Sequence, residues 1–239
     1  MSTNYFVLVK EAKTEIQNNT ENKIVLFDNK LSFILPQNNL NYYSTHGLFE
    51  NSLIDWCKQF CNKNKTFLDI GAHSGTYTIS LAPYCKEVYS FEPSKFSYYS
   101  LCGSVVLSDL KNVTCLQFGL GSTEQVGKQT LNIISNDGGG STLHSTEQTI
   151  LRKEEIEIKT LDELNILNIS FIKMDVEENE YYVLLGSAQT LKNNNYPKIL
   201  FESNNSNEIS VKLFELVKSY GYTIHSINGY RNMFLASIN

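Results

Sequence analysis

The chain has no run of basic residues. Its 20 Lys and Arg stand against 25 Asp and Glu, for a net charge of −5, and that balance argues against broad contact with phosphate backbones. No apolar stretch approaches the length of a membrane span, and the opening MSTNYFVLVKEAK lacks the basic-then-apolar form of a secretory leader. The expectation is a cytoplasmic protein with neither a nucleic-acid nor a membrane partner. Cysteine is sparse and scattered: Cys57, Cys61, Cys85, Cys102 and Cys115 include no CxxC pair and have no His at zinc-ligand spacing. Cys57 and Cys61 lie four apart in LIDWCKQFC, which reads as the apolar face of a helix rather than a metal site. Internal repeats and Pro- or Ser-rich linkers are missing too, and 239 residues suit one large domain with a real core.

What is there begins with short β-type runs. NYFVLV, NKIVLF and LSFILP fall in the first forty residues, the last two separated by DNK as a hairpin turn would be. They read as an N-terminal β extension over 1–45, ahead of a main domain over 46–239. GLFENSLIDWCKQFC then carries Leu53, Trp56, Cys57 and Phe60 at helical spacing. From there strands alternate with helices: EVYSFEP, a helix about 96–104, NVTCLQFG, ISFIKMDV, the helix ENEYYVLLGSAQTLK, KILFES, and the helix EISVKLFELVKSYG. Tyr181, Leu184, Leu185, Ala188 and Leu191 form one helical stripe; Ile209, Leu213, Leu216, Val217 and Tyr220 form another, with Gly221 as its C-terminal cap. Such alternation predicts an α/β fold with a doubly wound parallel sheet. YTIHSINGYRNMFLASI closes the chain as a hairpin about Asn228-Gly229, which fits a seven-stranded methyltransferase sheet better than a six-stranded dinucleotide one.

In open α/β sheets ligands sit beyond the carboxyl ends of the strands, and four strand ends carry chemistry. FLDIGAHSGTYTISLA, residues 67–82, is an apolar strand with Asp69 at its end, a turn over Gly71 and Gly75, and a helix stopped by Pro83. A dinucleotide fingerprint needs a middle glycine where His73 stands, so the turn favours an adenosyl group with an amino-acid tail, S-adenosylmethionine, over NAD. Glu92 in SFEPS comes 23 residues after Asp69, at the spacing of a ribose-binding carboxylate, with Pro93 stiffening the turn. In FIKMDVEENE, Lys173 and Asp175 share one sheet face; Lys173 needs a carboxylate partner, Asp175 or Glu202, and Asp175 with Glu178 also fits a helix cap. Glu202 ends the strand ILFES. SNDGGGSTLHS, with Gly138, Gly139, Gly140, Ser141 and His144, lies between TLNIIS and EIEIKT and reads either as a plain hairpin turn or as a lid over the cofactor.

GLFE, FLDIGAHSGTYT, VYSFEPS, FGLG, GGGST, IKTLDEL, FIKMDVEENEYYVLLG and ILFES, in that order from Gly47 to Ser203, resemble the FkbM family of S-adenosylmethionine-dependent methyltransferases. The resemblance implies a class I (Rossmann-like) methyltransferase fold and O-methylation of small molecules or sugars. By motif it implies that Asp69, Gly71, Ala72 and Gly75 line the methionine end, that Glu92 holds the ribose, and that Phe118 and Gly119 lie near the adenine. Glu50, His73, Pro93 and Asp175 complete the expected cofactor set. His73 stands where the family has Asn, and Glu178 where it has Gly, so the turn after that strand is expected to be ordinary helix.

Methyl transfer to a hydroxyl needs in-line positioning and removal of a proton. The candidate catalytic residues are Asp175 first, then Glu202 and His144, with Lys173 tuning its carboxylate partner. A Mg²⁺ ion on Asp175, Glu177 and Glu202 is a further option. The expected acceptor is a sugar hydroxyl, nucleotide-linked or in a glycan, with a natural-product hydroxyl or an RNA 2′-OH as alternatives; an NAD-dependent oxidoreductase and a non-enzymatic domain stand further back. The N-terminal β runs offer a homodimer surface.

Overall fold

The structure is a computed structural model that describes residues 4–10, 16–18, 23–25, 30–204 and 208–238. It opens with β1 (Tyr5–Val9), β2 (Ile16–Asn18), β3 (Lys23–Val25), β4 (Ser32–Pro36), α1 (Leu40–His46) and α2 (Asn51–Cys57). β5 (Thr66–Ile70), α3 (Thr76–Leu81), β6 (Glu87–Phe91), α4 (Lys95–Leu107), β7 (Val113–Leu116) and β8 (Gly119–Leu120) follow. Next come β9 (Gly127–Ile133), β10 (Arg152–Lys159), β11 (Ile169–Met174), α5 (Glu180–Leu185) and α6 (Ala188–Asn193). β12 (Lys198–Glu202), α7 (Glu208–Ser219), β13 (Thr223–Ile227) and β14 (Tyr230–Ser237) close the chain.

Seven strands form the central sheet in the order β13-β14-β12-β11-β5-β6-β7. β12, β11, β5, β6 and β7 run parallel, and β14 is antiparallel to both of its neighbours, β12 and β13. The expected α/β fold with a closing antiparallel hairpin is therefore present. Every residue of β5 is buried, as a strand covered on both faces requires. On one face Leu68, Ile70, Ile172, Met174 and Phe201 pack against α5, α6 and α7; on the other Phe67, Phe171 and Leu200 pack against α2 and α3. Among the described residues no helix is long and apolar enough to cross a membrane.

Four expectations need correction. Among the described residues NKIVLF and LSFILP do not pair: β3 pairs with β2 and β4 with β1, both antiparallel, while residues 28 and 29 of the expected DNK turn lie outside the described residues. β4 is joined to α4 through side chains that local patterns do not reveal. Ser104 and Ser108, one turn apart, take the amides of Ile34 and Ser32 at 2.9 and 2.8 Å, so Phe33 and Leu35 are fully buried in the same core as Phe67. The long helix after β11 is two helices broken at Gly186, where a Cβ would lie 2.1 Å from the Gly121 carbonyl oxygen. The break turns Leu185 and Ala188 out of the stripe into solvent. In α2, Leu53 and Cys57 are buried, but Trp56 is exposed and packs edge-on against Phe60, 4.8 Å between centroids. Finally, Glu177 and Glu178 are left-handed, at φ +54° and +73°, so the turn after β11 is the bend a glycine would make rather than helix.

Candidate active site

The strands end where their side chains converge. Gly71 ends β5 at φ +77°, and a Cβ there would sit 1.8 Å from the Asp175 carbonyl oxygen. Only glycine lets the ends of β5 and β11 meet this closely. The amides of Gly71 and Ala72 both donate to the Phe91 carbonyl, at 3.0 and 2.9 Å, which draws the turn across the end of β6. Beyond it Gly75, at φ +86°, starts α3. Glu92 stabilises the crossing: Oε2 accepts from the His73 amide and Oε1 from the Ser94 amide, both at 2.8 Å.

These elements surround a cavity of about 450 Å³, within the range of small-molecule sites. One end is apolar, with Leu131, Ile156 and Ile158 from β9 and β10 facing Gly119 and Leu120. Glu92 and Pro93 also line it, Pro93 beside Gly119. The other end is polar, with Glu50, Tyr77, Lys173 and Asp175. The SNDGGGST segment lies over the cavity, pinned from three sides: His73 Nε2 to the Asp137 carbonyl at 2.7 Å, Asn39 to the Asp137 carboxylate at 3.0 Å, and the Gly140 amide to Glu177 at 2.9 Å. The triple-glycine loop is thus a tied cover rather than a plain turn.

Lys173 organises the polar end. Parallel register sets it beside Asp69 on β5, and its side chain is 5% exposed. Nζ donates to the Gly71 carbonyl at 2.9 Å and pairs with Asp175 at 3.4 Å and Asp69 at 3.8 Å. Burial opposes its charge, but Asp175, Asp69 and Glu50 outweigh that and hold the ammonium above its usual range. Burial likewise opposes ionisation of Asp175, yet Lys173 and a hydrogen bond with Glu202 keep that carboxyl below its usual range. Burial, with the Asp175 charge second, lifts the Glu202 carboxyl to about 9. Burial also raises the Glu50 carboxyl, against a 2.7 Å hydrogen bond from Tyr77.

Of the residues singled out in the sequence, Glu50, Gly71, Ala72, His73, Glu92, Pro93, Gly119, Lys173 and Asp175 line this cavity. Asp69, Gly75 and Phe118 do not. Asp69 is fully buried behind the wall, where Oδ2 accepts from the Thr78 amide at 2.9 Å and its hydroxyl at 2.6 Å. Gly75 packs on Leu101, and Phe118 packs on Phe91 with Lys159 over its ring. Asp175 is no helix cap: α5 starts after Asn179, and the reaching-back carboxylate is Glu180, which accepts from the Val176 amide at 2.8 Å. Glu202 opens onto a second cavity. His144 lines neither; its ring lies on Tyr182, and its buried Nε2 has no hydrogen-bond partner among the described residues. Tyr77, Asn39, Tyr43 and Asp137 line the site without having been singled out. Tyr77 alone had a local signal, since it falls in the first turn after the glycine bend. For Mg²⁺ there is no support: among the described residues no group of three His, Cys, Asp or Glu is arranged to hold a metal ion.

A parallel sheet with an inserted antiparallel strand, a glycine turn after β5 and a carboxylate ending β6 define the class I S-adenosylmethionine-dependent methyltransferase fold. Residues 69–224, more than half of the chain, match the methyltransferase FkbM domain, and the chain belongs to that family. No curated protein matches it. Among solved structures it is similar to a methyltransferase FkbM from Methylobacillus flagellatus KT, at 17% identity and TM-score 0.50, over 74% of this chain and 44% of that one. The chain thus spans less than half the length of that protein. A putative rRNA methylase from Clostridium thermocellum is 10% identical at TM-score 0.50, over 80% and 96% of the two chains. A precorrin-6y C5,15-methyltransferase from Geobacter metallireducens GS-15 gives 10% and 0.50, over 79% and 88%. At these identities the likeness is one of fold.

Proposed function

We propose that this chain transfers a methyl group from S-adenosylmethionine to a hydroxyl of a sugar, with Asp175 accepting the hydroxyl proton. The observation that carries the reading is Asp175 itself, an ionised carboxylate fixed by Lys173 at the polar end of the cavity. S-adenosylmethionine, when bound, supplies an electrophilic methyl group on a sulfonium.

The residues present suit that group. Each Glu92 oxygen accepts one backbone amide and keeps a lone pair for a ribose hydroxyl. Ile156 and Ile158 offer an apolar wall to a purine, and Glu50 and Tyr77 offer polar atoms to an amino-acid tail. Lys173 orients Asp175 and holds it ionised, ready to take a proton as the acceptor oxygen attacks. The sugar as acceptor class rests on the family resemblance.

Calorimetric titration with S-adenosylhomocysteine tests the cofactor, with Glu92→Ala as the paired variant. Binding that the substitution weakens supports the site; no binding by folded protein rejects it. Asp175→Asn tests the base: binding of S-adenosylhomocysteine persists while turnover on sugar acceptors drops, and normal turnover would remove the role.

A further inference from the structure

One stretch of the main cavity's wall, just ahead of Glu50, takes no part in the cofactor contacts described above. Pro36, Asn39, Tyr43 and Phe49 line it, and all four precede residue 69, where the family match begins. Phe49 runs directly into Glu50, so this wall adjoins the polar end that holds Asp175. Asn39 joins it to the glycine cover by donating to the Asp137 carboxylate at 3.0 Å.

Among the described residues the buried tyrosines are Tyr43, Tyr77 and Tyr222. Two of their hydroxyls are engaged within the protein: Tyr77 donates to Glu50 at 2.7 Å and Tyr222 to the Pro197 carbonyl at 2.8 Å. Tyr43 is 6% exposed and lines the cavity, yet its hydroxyl has no hydrogen-bond partner among the described residues. Buried hydroxyls are normally paired, and this one is left for a group that enters the cavity. Burial, with the Asp137 charge second, raises it to about 12, so it stays protonated near neutral pH and can donate.

Phe49 supplies the apolar part of the wall. Its ring is stacked on Tyr42, 4.1 Å between centroids and 18° between planes, and meets Tyr43 edge-on at 5.1 Å. These contacts fix the ring, but it remains 38% exposed along the cavity. An aromatic surface beside a hydroxyl, an amide and a carboxylate suits a pyranose, which has an apolar C–H face and a rim of hydroxyls. It suits a polyanion such as RNA poorly. Among the described residues Lys173 is the only Lys or Arg lining the cavity, and Asp69 and Asp175 already hold it.

We infer that Tyr43 and Phe49 form the acceptor-binding wall, with the Phe49 ring against the C–H face of a sugar and the Tyr43 hydroxyl donating to one of its oxygens. This inference rests on the methyltransferase reading above and names the side chains that select its acceptor.

The test uses the full chain saturated with S-adenosylhomocysteine, whose own affinity is measured first by calorimetry. Methyl β-glucoside, methyl β-galactoside and methyl α-mannoside are compared with uridine and adenosine by saturation-transfer NMR titration. At least one glycoside should bind more tightly than either nucleoside, with saturation strongest on the protons of one ring face. Phe49→Ala should weaken that glycoside about tenfold. Tyr43→Phe, which keeps the ring and removes only the hydroxyl, should weaken it about fivefold. Both variants should keep the S-adenosylhomocysteine affinity of the unaltered chain. Tighter nucleoside binding, binding of no glycoside, or a glycoside affinity that survives either substitution overturns the inference and leaves the cofactor reading intact. Loss of S-adenosylhomocysteine binding by either folded variant also overturns it, because the wall then serves the cofactor. Failure of S-adenosylhomocysteine to bind the unaltered chain removes both readings.

Discussion

Two pairs of carboxylates end strands on the same edge of one sheet, and they are treated differently. On the β5–β6 side, Asp69 takes the Thr78 amide and hydroxyl, and Glu92 takes the His73 and Ser94 amides. On the β11–β12 side, Asp175 and Glu202 take no backbone amide among the described residues; their partners are Lys173 and each other. The first pair holds the chain in the shape of a pocket. The second leaves Asp175 open to whatever enters the pocket. A buried carboxylate met by backbone amides is architecture first, whereas one met only by side chains is free to change protonation state during a reaction.

The sharpest way to break this contrast is to remove one carboxylate from each side. Asp69→Ala takes away the acceptor of the Thr78 amide and hydroxyl at the start of α3 and one of the three carboxylates around buried Lys173. It should destabilise the protein by about 2–3 kcal/mol, the cost of leaving the buried Thr78 amide without its acceptor, as measured by urea unfolding. Asp175→Asn should do the reverse, changing stability by less than about 1 kcal/mol because Lys173 keeps Asp69 and the Gly71 carbonyl. Its turnover should fall about 100-fold or more, equivalent to about 2.7 kcal/mol in the barrier. Equal effects of the two on stability would erase the distinction.

A smaller effect separates pH responses. Glu180 is 3% exposed, and burial lifts its carboxyl to about 8 from 4.5. Because the folded state then binds a proton that the unfolded chain has released, stability falls as pH rises from about 4.5 to 8. Glu180→Gln copies the protonated group and keeps an oxygen for the Val176 amide. It should flatten that slope and gain on the order of 2 kcal/mol at pH 8 relative to the unaltered chain. Parallel unfolding curves from pH 5 to 8 for both proteins would show that Glu180 is ionised in the folded state after all.

The contrast was only half visible in the sequence. Glycine spacing, the position of Glu92 and the Asn228-Gly229 hairpin are local patterns, and each sits where its pattern says. That Lys173 must meet a carboxylate followed from its place in a covered strand. That Asp69 is one of the two it meets depends on the register of β5 against β11, which no local window contains. The same holds for the N-terminal wall: Phe33 and Leu35 reach the core because Ser104 and Ser108, some seventy residues on, take the amides of β4. His144 looked chemical by residue type, but its segment folds it against Tyr182 and away from both cavities. Helix periodicity misled across Gly186 because close backbone contact with Gly121 decided the break.

The smallest prediction concerns the turn that carries the second pair. Asp175 is followed by Val176 and then by two left-handed residues, Glu177 and Glu178. A side chain bearing a Cβ in that region costs about 1–2 kcal/mol relative to glycine. Glu178→Gly relieves that strain but adds backbone freedom to the unfolded chain, so the net gain should be about 1 kcal/mol at most. Glu177 is the poorer choice for the same experiment, because its carboxylate holds the Gly140 amide and its carbonyl takes the Thr142 hydroxyl. If the bend serves to aim Asp175, Glu178→Gly should raise the urea midpoint while lowering turnover, since a freer turn holds the carboxylate less firmly. A gain in stability with turnover unchanged would mean that Lys173 alone fixes Asp175 and that the strained turn only shapes the second cavity.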